Sequence, residues 1–245
     1  LSGELRETPG TASTFVNGTE HRIKIGSPVD LMRYRLLSLG NKKDLIRLYL
    51  HARALGRHLN LHRPTPKTRE LERETARDFL LRDYNEDILE KVAYPIFAEL
   101  FLGVPEDNSK AAFLATLPNL VRFRIFTLAH GMGMVTGKLR ERLEVKDRTP
   151  VLGVRKSGAA RFRVETGGEH AGSRDFDRVV FAVPPPLLPD LVEGLPEPLG
   201  RSLKEVRYSP SMVVALGLER PFEDHSLINT FLRYQVPTIA TLIQD

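Results

Sequence analysis

Near Val145 the spacing of apolar residues changes from every third or fourth position to every second, so the chain joins a helix-rich stretch to a β-rich one. Upstream, Leu31, Tyr34 and Leu37, then Leu45, Leu48, Tyr49 and Ala52, follow helical spacing, with Gly40-Asn41 read as the break between two helices. Pro64 and Pro66 precede a third helix expected over residues 70–81, and a fourth is expected over 86–102. Pro95 lies inside that fourth segment, where a missing N–H and a ring clash should kink or split it, and Gly103 is expected to close it. Asn108-Ser109 offers a cap for a fifth helix from Lys110.

Two β signals frame this helical region. Phe15-Val16, Asn17-Gly18 and residues 19–25 read as a hairpin, because Asn-Gly tolerates the positive φ angles of a type I′ turn. Downstream, residues 151–154, 161–165 and 178–183 are short β-rich runs separated by Ser157-Gly158 and Gly167-Gly168. A short helix from Leu187 to Val192 and a strand over 211–218 complete the expectation of an α+β chain.

Several chemistries are excluded by what the 245 residues contain. There is no cysteine, so thiolate catalysis, disulfides and cysteine metal sites are ruled out, and any redox step belongs to a bound cofactor. The seven histidines have no metal-ligand spacing, so no metal site is expected. No uncharged apolar run is long enough to cross a bilayer and no signal-peptide core is present, which makes a cytoplasmic protein the default expectation. With 36 basic and 31 acidic residues the net charge is +5. The excess between Arg33 and Arg73 lacks interleaved aromatics and is read as a solvated face, with no nucleic acid as partner. An alternative is a non-enzymatic basic helical module docking on an anionic membrane or protein.

The one glycine-rich loop, Gly131-Met132-Gly133-Met134-Val135-Thr136-Gly137, admits two readings. It is either a variant dinucleotide fingerprint, as an NAD(P)-dependent reductase would use, or a tight connection between helices, with residues 111–128 as the helix before it and a short helix over 138–143 after it.

The order of these features supplies more than any single one. Gly131-Met132-Gly133, Val145, Thr149-Pro150-Val151, Val164-Glu165-Thr166 and the run Asp177-Arg178-Val179-Val180-Phe181-Ala182-Val183-Pro184 together resemble the middle of the FAD-dependent amine oxidase superfamily. Glu74-Thr75, Tyr94-Pro95-Ile96-Phe97 and Pro105-Glu106-Asp107-Asn108-Ser109 resemble the helical substrate cap of its protoporphyrinogen oxidase-like and phytoene desaturase-like members, and Val206-Arg207-Tyr208-Ser209-Pro210 with residues 213–218 resembles a returning strand. The resemblance implies a helical and antiparallel-sheet substrate domain over residues 1–130 and 206–245. It also implies an inserted β-meander over 131–205, part of an FAD domain of the two-dinucleotide-binding type.

It further implies FAD contacts at Val145, Ala182, Val183 and Pro184, and hydride transfer to the flavin from a small apolar or amine substrate. Catalytic residues stay unassigned, and Phe97, Phe101 and Phe123 could line the substrate cavity or fill the core. The family's N-terminal GxGxxG strand and its C-terminal closing segment have no counterpart here, so the chain is expected to be an internal fragment with an incomplete FAD site and little activity alone. A peripheral membrane contact near a lipid-dissolved substrate is compatible with that reading.

Overall fold

A computed structural model describes residues 4–8, 10–121, 124–158, 161–214, 219, 228–232 and 241–243. The chain divides into two compact units, one built from residues 1–131 and 210–245 and the other from 132–209.

The first unit opens with β1 (Leu5–Thr8), then β2 (Thr11–Val16) and β3 (Thr19–Lys24). β2 and β3 form the expected hairpin, with Asn17 at φ 49° and Gly18 at φ 77°, both left-handed as a type I′ turn requires. Gly26 then turns the chain at φ 80°, where an added Cβ would lie 2.8 Å from the Val121 carbonyl oxygen, so only glycine fits this approach.

α1 (Pro28–Arg33) is capped by Ser27, and α2 (Leu39–Leu55) by Ser38, whose hydroxyl accepts from the Asn41 N–H. The break between them therefore precedes Gly40-Asn41, which lie in the first turn of α2. A Ser side chain satisfies an orphan helix donor better than glycine, which has none to offer.

The third expected helix is two, α3 (Pro66–Leu71) and α4 (Ala76–Asp83), because Thr65 and Thr75 each nucleate a capped start. α5 (Glu86–Ile88) runs through a π-helical turn (Leu89–Ala93) into α6 (Tyr94–Phe101). Pro95 accounts for the wide turn: Tyr94 donates to the Leu89 carbonyl five residues back, and the proline sits where no donor is required. The left-handed residue closing α6 is Leu102 at φ 49°, one position before the expected Gly103. α7 (Lys110–Leu120) starts at the Ser109 cap as expected. Its start is tied to α4, since Ala76 N donates to Asn108 O and Lys110 N to Glu74 O, both at 2.8 Å.

These helices enclose a core of Leu48, Ala52, Phe79, Leu80, Ile88, Phe97, Phe113 and Leu114, all without solvent exposure. Burying each large side chain there contributes about 1.5–3 kcal/mol. Lys110, itself nearly buried, lies 4.2 Å from the Phe79 ring and pairs with Glu74 at 3.3 Å. β4 (Ile125–Leu128) follows and pairs antiparallel with β1, so residues 111–128 are a helix and a strand, not one helix.

The second unit begins with α8 (Gly133–Arg140), which starts five residues before the helix expected from Lys138. β5 (Val151–Ser157), β6 (Arg161–Thr166) and β7 (Gly172–Phe176) form an antiparallel meander with a bulge between Val151 and Gly153. The third strand is thus Gly172–Phe176, and the apolar run 178–183 forms no ladder. β-rich composition does not make a strand where no neighbouring edge supplies hydrogen bonds. α9 (Leu188–Leu191), preceded by a 3-10 turn at Pro185–Leu187, and α10 (Glu197–Lys204) complete the unit.

The chain then returns to the first unit. Residues 211–214 are exposed and irregular, contrary to the strand expected over 211–218, whose last four residues lie outside the described ones. β8 (Ile228–Phe231) pairs parallel with β2 and antiparallel with β9 (Thr241–Ile243), which gives the sheet order β3-β2-β8-β9.

Candidate functional site

The four-stranded sheet and the helices of the first unit leave a cavity of about 420 Å³ between them. Its floor is the alternating inner face of the sheet: Ala12 and Thr14 from β2, Ile23 from β3, and Ile228 and Thr230 from β8. The helices supply the rest, including Leu31 from α1, Leu45 and Ile46 from α2, Pro95 and Ile96 from α6, and Leu117 from α7. Aliphatic side chains dominate, the composition of a site that selects ligands by shape and apolar area.

Several polar groups on this wall have defined partners. The Tyr34 hydroxyl donates to Thr14 Oγ1 at 3.1 Å, and burial raises its pKa above the ordinary phenol value even though that hydrogen bond opposes the shift. Tyr34 therefore stays a neutral phenol. Thr230 Oγ1 donates to Glu99 Oε1 at 2.8 Å, and Lys91 pairs with Asp87 at 2.6 Å. That lysine, hydrogen-bonded to Asp87, holds the aspartate below its ordinary value against the opposing effect of burial, with help from the Asn41 amide.

The aromatic candidates fall elsewhere. Phe97 lies in the helical core, in ring contact with Phe101 and Phe113, and neither Phe97 nor Phe101 reaches the cavity wall. Phe123 lies outside the described residues. Ile96, beside Phe97 in sequence, is the residue that faces the cavity.

The four positions expected to meet FAD all lie in the second unit, exposed and outside its helices and strands. Val145 sits in the connection between α8 and β5, while Ala182, Val183 and Pro184 sit in the one between β7 and the 3-10 turn. No strand pairing links the two connections. Val180, on the same run, is 91% exposed, and backbone groups from Arg178 to Val183 make no backbone hydrogen bonds among the described residues.

The glycine loop does not form an independent nucleotide-binding unit. β4, which leads into it, pairs antiparallel with β1, and β5, which follows α8, pairs antiparallel with β6, so no βαβ crossover exists among the described residues. The connection runs from strand to helix, correcting the helix-to-helix expectation. Gly131 takes φ 76°, and an added Cβ there would meet nothing within 4 Å.

A second cavity of about 290 Å³ in the second unit is lined by Gly153, Arg155, Glu165 and residues 189–193. It is polar, and Glu193 N donates across it to Val154 O at 2.9 Å.

Comparison with solved structures finds cyclohexylamine oxidase from Brevibacterium oxydans IH-35A at a TM-score of 0.59 and 14% identity, covering 82% of this chain and 46% of that one. The chain thus spans about half the length of that neighbour, and at this identity the likeness is one of fold. No curated relative matches the chain. The family model described as flavin containing amine oxidoreductase matches residues 8–241, nearly the whole sequence. The chain belongs to the flavin containing amine oxidoreductase family.

Proposed function

We propose that the chain forms the substrate-binding part, and a portion of the flavin-binding part, of an FAD-dependent oxidase acting on an apolar amine. In this reading residues 1–130 and 206–245 are the substrate domain, and residues 131–205 belong to the flavin domain. The observation that carries it is the aliphatic cavity between sheet and helices, in a chain of a flavin amine oxidoreductase family.

FAD bound against Val145, Ala182, Val183 and Pro184 would supply the hydride acceptor, a role that no amino-acid side chain fills. The residues of this chain perform the remaining work. Ile96, Leu45 and Ile23 desolvate the hydrocarbon part of the substrate, which favours binding by roughly 25 cal/mol per Å² of apolar area buried. Tyr34, neutral and anchored on Thr14, keeps that side of the cavity shaped without placing a charge in it. Exclusion of water by these walls strengthens every polar contact made inside. No general base is assigned, and the compartment proposed is the cytoplasm.

Ile96→Trp tests the assignment of the cavity. An indole at this position takes up space a cyclic aliphatic amine needs, so affinity for a probe such as cyclohexylamine is expected to fall on the order of tenfold while helical content is kept. Calorimetric titration of both proteins measures it. Equal affinity in the two would place the substrate outside this cavity.

A further inference from the structure

α2 buries one face in the helical core and leaves the opposite face bare, and that bare face has an unusual composition. Leu39, Lys43, Ile46, Leu50, Arg53 and, in the 3-10 turn that continues the helix, Arg57 follow each other at alternating intervals of four and three residues. They therefore form a single stripe. Leu39 is 76% exposed, Leu50 60% and Ile46 48%. Lys43, Arg53 and Arg57 are also exposed, and none has an ion-pair partner among the described residues. No carboxylate stands in the stripe: Asp44 is turned away, half-buried, where Asn85 Nδ2 donates to it at 3.0 Å. The preceding α1 adds Val29 and Met32, both more than half exposed, with Arg33 at its end.

The stripe holds no aromatic residue of the kind that anchors protein interfaces, and its cations alternate with aliphatic side chains along the helix. This pattern suits the boundary of an anionic bilayer. There leucine and isoleucine enter the acyl region while lysine and arginine extend their stems to reach lipid phosphates. No helix among the described residues is long and apolar enough to cross a membrane, so the contact is with one leaflet surface. We propose that the outer face of α2 docks this protein on an anionic phospholipid membrane. Ile46 both stands in the stripe and lines the 420 Å³ cavity, which places the docked surface at the cavity's rim. Entry of a lipid-dissolved amine by this route rests on the proposed oxidase function; docking itself does not.

The chain contains no tryptophan, so Leu50→Trp installs a single reporter in the middle of the stripe. With the whole chain and no flavin present, vesicles of phosphatidylcholine and phosphatidylglycerol in equal parts are expected to shift its emission to the blue. Vesicles of phosphatidylcholine alone should give little shift, and salt should weaken the effect. Lys43→Glu with Arg53→Glu and Arg57→Glu is expected to lower co-sedimentation with the anionic vesicles at least about a hundredfold, at roughly fivefold per basic residue removed. Should the triple variant not fold, the reporter in the otherwise unchanged chain decides alone. An unshifted tryptophan in the presence of anionic vesicles, or a folded triple variant that sediments like the parent, would overturn the proposal. Because flavin is absent, its failure is separable from failure of the oxidase reading.

Discussion

Replacing Phe97 with alanine is expected to remove about 3–5 kcal/mol from the stability of the first unit, the cost of deleting a fully buried ring that neighbours cannot replace. Phe97 has no solvent exposure, and its ring centroid lies 5.1 Å from that of Phe101 and 5.7 Å from that of Phe113, so α6 and α7 meet through it. The change opens a void at the centre of the core, beneath the helices that wall the cavity. Denaturant unfolding followed by circular dichroism measures the loss, with Phe97→Leu as the comparison that keeps most of the volume and is expected to lose less. A loss below about 0.5 kcal/mol for Phe97→Ala is the size seen at surface positions and would contradict the packing described.

The second large effect belongs to the other unit. Gly168 takes φ 71°, and a Cβ there would overlap the Arg148 carbonyl oxygen and come within 3.0 Å of the Pro150 ring. The same corner is held by Gly167 N donating to Pro150 O at 2.9 Å and Glu169 N to Arg148 O at 3.2 Å, so the backbone cannot yield without breaking the start of the β5–β6 ladder. Gly168→Ala is expected to cost about 3 kcal/mol or more, combining left-handed strain with a clash against rigid backbone. Gly158 offers the internal control: it takes φ 72° with nothing within 4 Å of the added atom, so Gly158→Ala should cost only the conformational part, about 1 kcal/mol. Equal losses from the two substitutions would show that the corner is not packed as described.

Local signals in the sequence translated well into structure where one residue dictates backbone geometry. Asn17-Gly18 makes its hairpin turn, Ser109 caps its helix, and Pro95 produces a break in the form of a π-helical turn. Features that depend on a distant partner were not legible. β1 meets β4, and β2 meets β8, only because the fold brings remote segments together, and no periodicity in either segment encodes that pairing. β7 is a second kind of omission, since Gly-Ser-Arg-Asp-Phe is exposed along its whole length and carries no apolar alternation, yet β6 supplies its hydrogen bonds. The run 178–183 shows the converse, with strong β composition and no neighbouring edge.

The family resemblance was readable from ordered motifs, whereas the cavity was not. Seven elements each contribute ordinary aliphatic residues to it, and Ile96 and Phe97 differ only in which way consecutive positions of α6 point. Helical spacing marks both as apolar without saying which meets the core and which meets open space. The membrane stripe was half visible: the basic excess between Arg33 and Arg73 stands out in the composition, but its alternation with exposed Leu39, Ile46 and Leu50 requires knowing which face of α2 is buried.

The visible absorption spectrum of this protein, purified after expression together with any coding sequence that flanks it, tests the flavin assignment. Bound oxidised flavin that is released as FAD on denaturation, and bleached by an apolar amine in the absence of oxygen, is the predicted result. A well-folded, colourless protein that also fails to take up added FAD would contradict it.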